Sequence, residues 1–232
     1  MTLIAIDAGH GYETAGKRSP DGMREYAFNR AAAKECILHL EKASIQTIQL
    51  HDDALDVPLA QRTNRANQAG AHYYISIHAN AFGNGSWNAA SGIETYIHSV
   101  KGEKALKLAQ IIHSSLIKKT GSKDRGVKKQ DFHVLRETNM PAVLIECGFM
   151  TNKEEKALLA SPAFRAKCGK IIAEAIIAFL DAGQPSHKKS LPKEQPLYRV
   201  QTGVFTTRAR AEELVKKLRS AGFDAAIGII NK

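Results

Sequence analysis

Three stretches of the sequence, Asp7-Ala8-Gly9-His10-Gly11, Ser76-Ile77-His78-Ala79-Asn80 and Ile145-Glu146-Cys147-Gly148-Phe149, each set a metal-ligand or acid/base side chain directly after an apolar, strand-like run. Neutral imidazoles together with a carboxylate suit Zn2+, and a catalytic zinc takes three protein ligands and keeps a further position open. His10, Glu25 and His78 meet that count. Glycines on both sides of His10 let the backbone turn sharply there. Glu25 has a plainer alternative, because the first turn of a helix favours a carboxylate in any case. Glu146 is then the carboxylate left over, the natural general base for a water activated by the metal. Side chains alternate along a strand, so a Glu146 that faces the site sends Cys147 to the other face and excludes that thiol as ligand or nucleophile. Two further residues are candidates for holding substrate: Asn80, just past His78, and Arg62, which suits a substrate carboxylate or, more plainly, a surface ion pair. His51, His72, His98, His113 and His133 have no comparable setting and read as structural or solvent-facing.

Residues that far apart in the chain meet only if the elements between them bring them to one place. Residues 3–6, 73–77 and 142–145 are short runs rich in β-branched or aromatic side chains, and amphipathic helical patterns separate them. Helices are expected over 25–43 and 59–69, from the stripe of Ala105, Leu108, Ala109, Ile112 and Leu116 up to Gly121, and from Pro162, behind the N-cap Ser161, to Gly183. Further strands are expected over 46–50 and 92–97. This alternation predicts the α/β class, an open, mostly parallel sheet with helices on both faces. Ligands of such sheets bind beyond the carboxyl ends of the strands, where His10, His78 and Glu146 would converge. The loop over 81–91 is long and polar and carries the single tryptophan, Trp87, a candidate for lining a groove or for folding onto the core.

With 232 residues and 44% hydrophobic content the chain can bury a good core and still carry an appendage. A net charge of +10 attracts polyanions, anionic wall polymers among them. The basic residues are scattered rather than interleaved with aromatics, and no nucleic-acid motif appears, so nucleic acid is not expected as a partner. No uncharged apolar run reaches the roughly 18 residues of a membrane span, and the N-terminal residues lack the basic and apolar pattern of a Sec signal. The expectation is a non-membrane chain made in the cytoplasm. Cys36, Cys147 and Cys168 are odd in number and widely spaced, and read as reduced core thiols.

The division expected is a catalytic domain over 1–182, a linker over 183–196 rich in proline and poor in apolar residues, and a tail over 197–232. In the tail, Tyr198, Val200, Thr202 and Val204 alternate as a strand, Ala211, Leu214, Val215 and Leu218 mark a helix, and residues 223–230 supply a second strand. Such a small C-terminal β-α-β unit is shorter than the roughly 40 residues a domain usually needs to fold alone. It must dock or pair with a copy of itself, which makes a homodimer an expectation.

Taken in combination and order, residues 1 to about 182 resemble the zinc-dependent N-acetylmuramoyl-L-alanine amidases of the amidase_3 type, which cleave peptidoglycan. The matching segments are Ile6-Asp7-Ala8-Gly9-His10-Gly11, Glu25, Arg62 with Thr63-Asn64-Arg65-Ala66-Asn67, Ser76-Ile77-His78-Ala79-Asn80, and the run from Pro141 to Phe149 followed by Thr151-Asn152. The resemblance implies zinc on His10, Glu25 and His78 with Glu146 as catalytic glutamate. It also implies a lytic enzyme (autolysin, sporulation-associated enzyme or phage endolysin) that reaches the wall after lysis or by non-Sec release. The tail, from Tyr198-Arg199-Val200-Gln201-Thr202-Gly203-Val204-Phe205 to Ala221-Gly222-Phe223, is similar to the first half of a SPOR domain, a family that binds peptidoglycan. Two alternatives are a non-catalytic wall-binding protein on an amidase scaffold and a metal-dependent hydrolase of a soluble amide.

Overall fold

The computed structural model describes residues 2–14, 17–100, 102–183, 203–223 and 225–228. The chain divides into two compact units, Met1–Pro185 and Ser186–Lys232. The first holds a six-stranded sheet of β1 (Leu3–Ala8), β2 (Gln46–Gln49), β3 (Tyr73–Asn80), β4 (Ile93–Ile97), β5 (Asp124–Lys129) and β6 (Ala142–Phe149), in the order β2-β1-β3-β6-β4-β5. Its helices are α1 (Glu25–Lys42), α2 (Leu59–Gln68), α3 (Gly102–Thr120), α4 (His133–Arg136), α5 (Lys153–Ala160) and α6 (Pro162–Gly183). Four of the five strand pairings are parallel; β4 runs antiparallel to β6. The expected mostly parallel sheet is present, with an inverted strand beside β6.

Alternation along the strands sorts the core into two layers. Ile4, Ile6, Ile75, Ile77, Val143, Ile145 and Cys147 lie in the layer with α1, α3 and α6, and Ala5, Tyr74, Ala142 and Leu144 lie with Ala66 of α2 and Val134 and Leu135 of α4. Burying an isoleucine contributes roughly 1.5–3 kcal/mol. A one-residue slip of β1 would move Ile4 and Ile6 to the wrong face, so the register that carries Asp7 and His10 to the rim is strongly held. On the α1 side, Gly169 of α6 lies so close to α1 that an added Cβ would fall 2.2 Å from the Ala32 carbonyl oxygen.

Local signals explain the helix ends. Asn152 accepts the N–H groups of Glu154 and Glu155 at the start of α5, Pro162 occupies the first position of α6, and Gly121 at φ 74° follows α3. Three elements lay outside the sequence expectation. β5 reads Asp-Arg-Gly-Val-Lys-Lys, an edge strand with no apolar run; α4 is a single turn; α5 is short, with a charged first half. Cys36, Cys147 and Cys168 are buried and free.

In the second unit α7 (Arg208–Ser220) forms where the apolar spacing placed a helix, and none of its residues is buried. Residues 203–205 and 225–228, which carry parts of the two expected strands, are in no strand. Phe223 is likewise in no strand, and the remainder of both strands and linker residues 184–196 lie outside the described residues. Among the described residues no helix is long and apolar enough to cross a membrane.

Candidate active site

The first metal-competent side chain sits on a forced backbone. Past the end of β1, Gly9 donates its N–H to the carbonyl of Ile77, 3.0 Å away, and a Cβ on Gly9 would come within 1.9 Å of Cε1 of His78. Only glycine fits beneath that ring. His10 follows at φ 64°, a left-handed conformation that costs a residue with a Cβ roughly 1–2 kcal/mol. Arg62 holds it there: Nη2 donates to the His10 carbonyl and Nη1 to the Ala8 carbonyl, each at 2.6 Å.

Glu25, the first residue of α1, reaches back over the sheet rim to both imidazoles. Its Oε1 lies 2.9 Å from His78 Nδ1 and its Oε2 lies 3.3 Å from His10 Nε2. One turn later Asn29 donates to Glu25 Oε1 at 3.1 Å and to the Gly9 carbonyl at 2.9 Å, tying helix to strand end. The two imidazole rings meet edge to face with centroids 5.0 Å apart. Ligand atoms of His10, Glu25 and His78 all lie within 4.8 Å of one another, the one such grouping among the described residues.

Electrostatics suit a cation. Burial pushes the His10 pKa down to about 4, Glu25 notwithstanding, so this ring is neutral at pH 7. Burial pulls His78 the same way, but its hydrogen bond to Glu25 and the charges of Glu146, Glu25 and Asp7 outweigh it and leave the pKa raised. Burial would raise Glu25; His78 and His10 hold it down.

Glu146, on β6, is the Cα partner of His78 on β3. Its Oε2 is buried and has no hydrogen-bond partner. Burial raises its pKa and the negative charges of Glu25 and Glu94 add to that, against the pull of His78. On its other side β4 brings Glu94 opposite Glu146. That carboxylate is fully engaged, by Arg125 Nε at 2.8 Å, by Lys128, by Tyr96 OH at 2.7 Å and by Asn80 Nδ2 at 3.5 Å.

The two candidates for holding substrate fare differently. Asn80 stays partly exposed at the rim, bonded to Glu94 and, through Oδ1, to the Ala81 N–H at 2.8 Å. Arg62 is 1% exposed, and all five of its N–H groups face protein oxygens: the carbonyls of Val57, Ala8 and His10 and the carboxylates of Asp7 and Asp56. Neither a surface ion pair nor a substrate hold fits that burial; Arg62 is part of the scaffold. Trp87 is exposed, with the Lys153 ammonium 5.8 Å from its ring centroid. His51 accepts the Ala8 N–H at 3.1 Å, and His113 sits between Thr95 and Asp124.

Sequence reading passed over Asp7, Ser76, Asn29 and Glu94. Ser76 and Asp7 stood inside the quoted motifs, Ser76 on the same strand face as His78 by alternation. Asn29 stood four residues after Glu25, within reach on one helix face. Nothing local marked Glu94, because its position depends on the inverted pairing of β4.

An α/β sheet whose rim gathers two imidazoles and a carboxylate, with an unpartnered carboxylate beside them, defines an enzyme with a metal-competent hydrolytic centre. The chain belongs to the N-acetylmuramoyl-L-alanine amidase family, which matches residues 4–178. It hydrolyses the amide bond between N-acetylmuramic acid and L-alanine of peptidoglycan stem peptides, a lytic reaction on the cell wall. Among its relatives, the N-acetylmuramoyl-L-alanine amidase CwlM of Bacillus licheniformis is 34% identical over 98% of this chain and 85% of its own length. The sporulation-specific N-acetylmuramoyl-L-alanine amidase of Bacillus subtilis is 31% identical over 98% of this chain and 84% of its own. The catalytic domain of CwlV from Bacillus (Paenibacillus) polymyxa var. colistinus superposes with a TM-score of 0.72 at 33% identity, covering 78% of this chain and 99% of that one. The SPOR domain family matches residues 170–227, beginning inside α6, where Ile171, Ile172 and Ile176 belong to the core of the first unit.

Proposed function

We propose that the amidase is zinc-dependent, with His10, Glu25 and His78 as ligands, Glu146 as the catalytic residue and Asn80 at the edge of the substrate site. The observation that carries this reading is the buried, unpartnered Oε2 of Glu146 beside the three-donor cluster. Two imidazoles and a carboxylate suit zinc by donor type and number, and their spacing fits one ion. Zinc held there supplies Lewis acidity, polarising the scissile carbonyl and making water a competent nucleophile at neutral pH.

The chain's own residues do the rest. Glu146 takes the proton of the attacking water on Oε2 and passes it to the alanine nitrogen as the C–N bond breaks. Its raised pKa keeps the proton close in energy between the two steps. Glu94 sits one strand away with its oxygens already engaged, so it does not compete for that proton. Asn80, partly exposed at the rim, has a second Nδ2 proton to offer a substrate amide, which supports a role in holding substrate.

For the division of labour, residues 1–182 act as the catalytic domain, residues 183–196 as a linker and residues 197–232 as a half SPOR-like segment that holds the enzyme to glycan. Cationic α7 would add attraction to anionic wall polymers. Its stripe of Ala211, Leu214, Val215 and Leu218 is only partly covered, which suits pairing with a second copy. Similarity to a sporulation-specific amidase along nearly the whole chain favours an autolysin of a sporulating cell, acting on the wall at lysis.

Mass spectrometry of the soluble products from purified peptidoglycan, with and without a zinc chelator, tests the reading. Stem peptides that begin with free L-alanine and vanish on chelation are expected. The same peptides undiminished after complete metal removal would refute the zinc assignment.

A further inference from the structure

We infer that Arg62, Asp7 and Ser76 form a relay that fixes the tautomer of His78 and leaves Nδ1 as its metal-binding atom. The inference rests on the reading that the cluster holds zinc. Arg62 Nη1 lies 2.7 Å from Asp7 Oδ1, and both side chains are 1% exposed. Ser76 donates its hydroxyl proton to Asp7 Oδ2 at 2.8 Å. The same hydroxyl oxygen lies 3.0 Å from His78 Nε2. At the opposite side of the ring, Nδ1 faces Glu25 Oε1 at 2.9 Å.

Proton counting makes the chain directional. A carboxylate paired with a guanidinium only accepts, and a serine hydroxyl has a single proton to give. Asp7 takes that proton, so Ser76 offers His78 nothing but lone pairs. Nε2 must therefore carry hydrogen. In the metal-free ring Nδ1 also carries a hydrogen, which it donates to Glu25 Oε1; because Nε2 keeps its own, the Nδ1 proton is the one that zinc would displace, freeing that lone pair. Ligating histidines are commonly fixed in this way by the partner of the other ring nitrogen, and losing that partner typically weakens metal binding 10- to 100-fold.

Arg62 adds a second constraint to the first. The guanidinium that anchors Asp7 also donates to the carbonyls of Ala8 and His10. One buried cation thus sets the ring of His78 through two side chains and the left-handed backbone of His10 directly. Asp7, Ser76 and Arg62 are positioning residues in this scheme; none of them touches the substrate.

The test begins with the unaltered protein. In the zinc-loaded chain labelled with 15N-histidine, long-range proton–nitrogen correlation is expected to show His78 protonated at Nε2 and zinc-shifted at Nδ1. Zinc bound through Nε2 overturns the relay and leaves the zinc reading standing, whereas a chain that takes up no zinc overturns both. Ser76→Ala then removes only a hydroxyl. Zinc affinity, measured by competition with a chromophoric chelator, is expected to fall about 10- to 100-fold, while the metal-free protein still unfolds in one cooperative transition, at a lower temperature because the buried Asp7 Oδ2 loses its donor. Undiminished zinc affinity in Ser76→Ala would overturn the relay.

Discussion

Glu146 and Glu94 stand opposite each other on adjacent strands of one sheet, yet the molecule treats them in opposite ways. Around Glu94 the β4–β5 edge supplies Arg125, Lys128 and Tyr96. Burial by itself would raise the Glu94 pKa, but those partners hold it below the ordinary value. Around Glu146 the β3–β6 rim supplies no partner for one buried oxygen, and burial with two neighbouring carboxylates pushes its pKa up. On the function proposed above, the satisfied carboxylate is a structural anchor and the desolvated one is the base. Residue type and level across the sheet are the same; the donors within reach decide the chemistry.

Removing the reactive member is the hardest way to break this contrast. Glu146→Gln keeps the shape of the side chain and, on the proposed zinc mechanism, should lower the release of stem peptides from peptidoglycan by about 10²- to 10⁴-fold, with zinc content by atomic absorption unchanged. Activity near that of the parent would move the catalytic role elsewhere. Next in size is the loss of the anchor's partners. Arg125→Gln with Lys128→Gln leaves a buried carboxylate without its cations and should cost about 1–3 kcal/mol, read from the urea midpoint; an unchanged midpoint would mean that the Glu94 pairings are ornamental.

A smaller effect sharpens the comparison by coupling its two halves. Glu94→Gln removes one of the negative charges that raise the Glu146 pKa, so the acidic limb of kcat/KM should move to lower pH. The sign follows because the base must be ionised to act; a limb that stays in place would show that the two carboxylates do not sense each other. Smallest is a proton count. Burial raises Glu146 to about 8 and His78 is raised as well in the metal-free protein, so zinc uptake near pH 7 should release protons. Glu94, already lowered, adds none. Calorimetry in two buffers of different ionisation enthalpy measures it. The affinity should weaken as pH falls through the raised His78 value, and zero protons released would contradict the charges assigned to the site.

Much of this architecture was legible residue by residue. β-Branched runs at residues 3–6, 73–77 and 142–145 marked strands because a pleated, buried surface selects such side chains. His78 and Glu146 were visible because each follows such a run directly, and His10 because it follows one by a short glycine-containing step. The strand β5 was hidden, since an edge strand pairs through backbone atoms on one side and needs no apolar pattern in its side chains. Arg62 was misread for a related reason. Sequence counts an arginine as a surface charge, and only a tertiary environment with five oxygens in range makes its burial favourable.

By itself the sequence determined the alternation of strands and helices, the residues at the strand ends and the donor types at a metal-competent rim, because periodicity and residue chemistry are local properties. Tertiary structure alone decided that β4 runs against β6, that Glu94 faces Glu146 fully bonded, that Glu146 keeps a bare oxygen, and that Arg62 locks His10 and Asp7 from within. Those outcomes depend on which groups far apart in the chain come within hydrogen-bond range once water is excluded, and no local pattern encodes that.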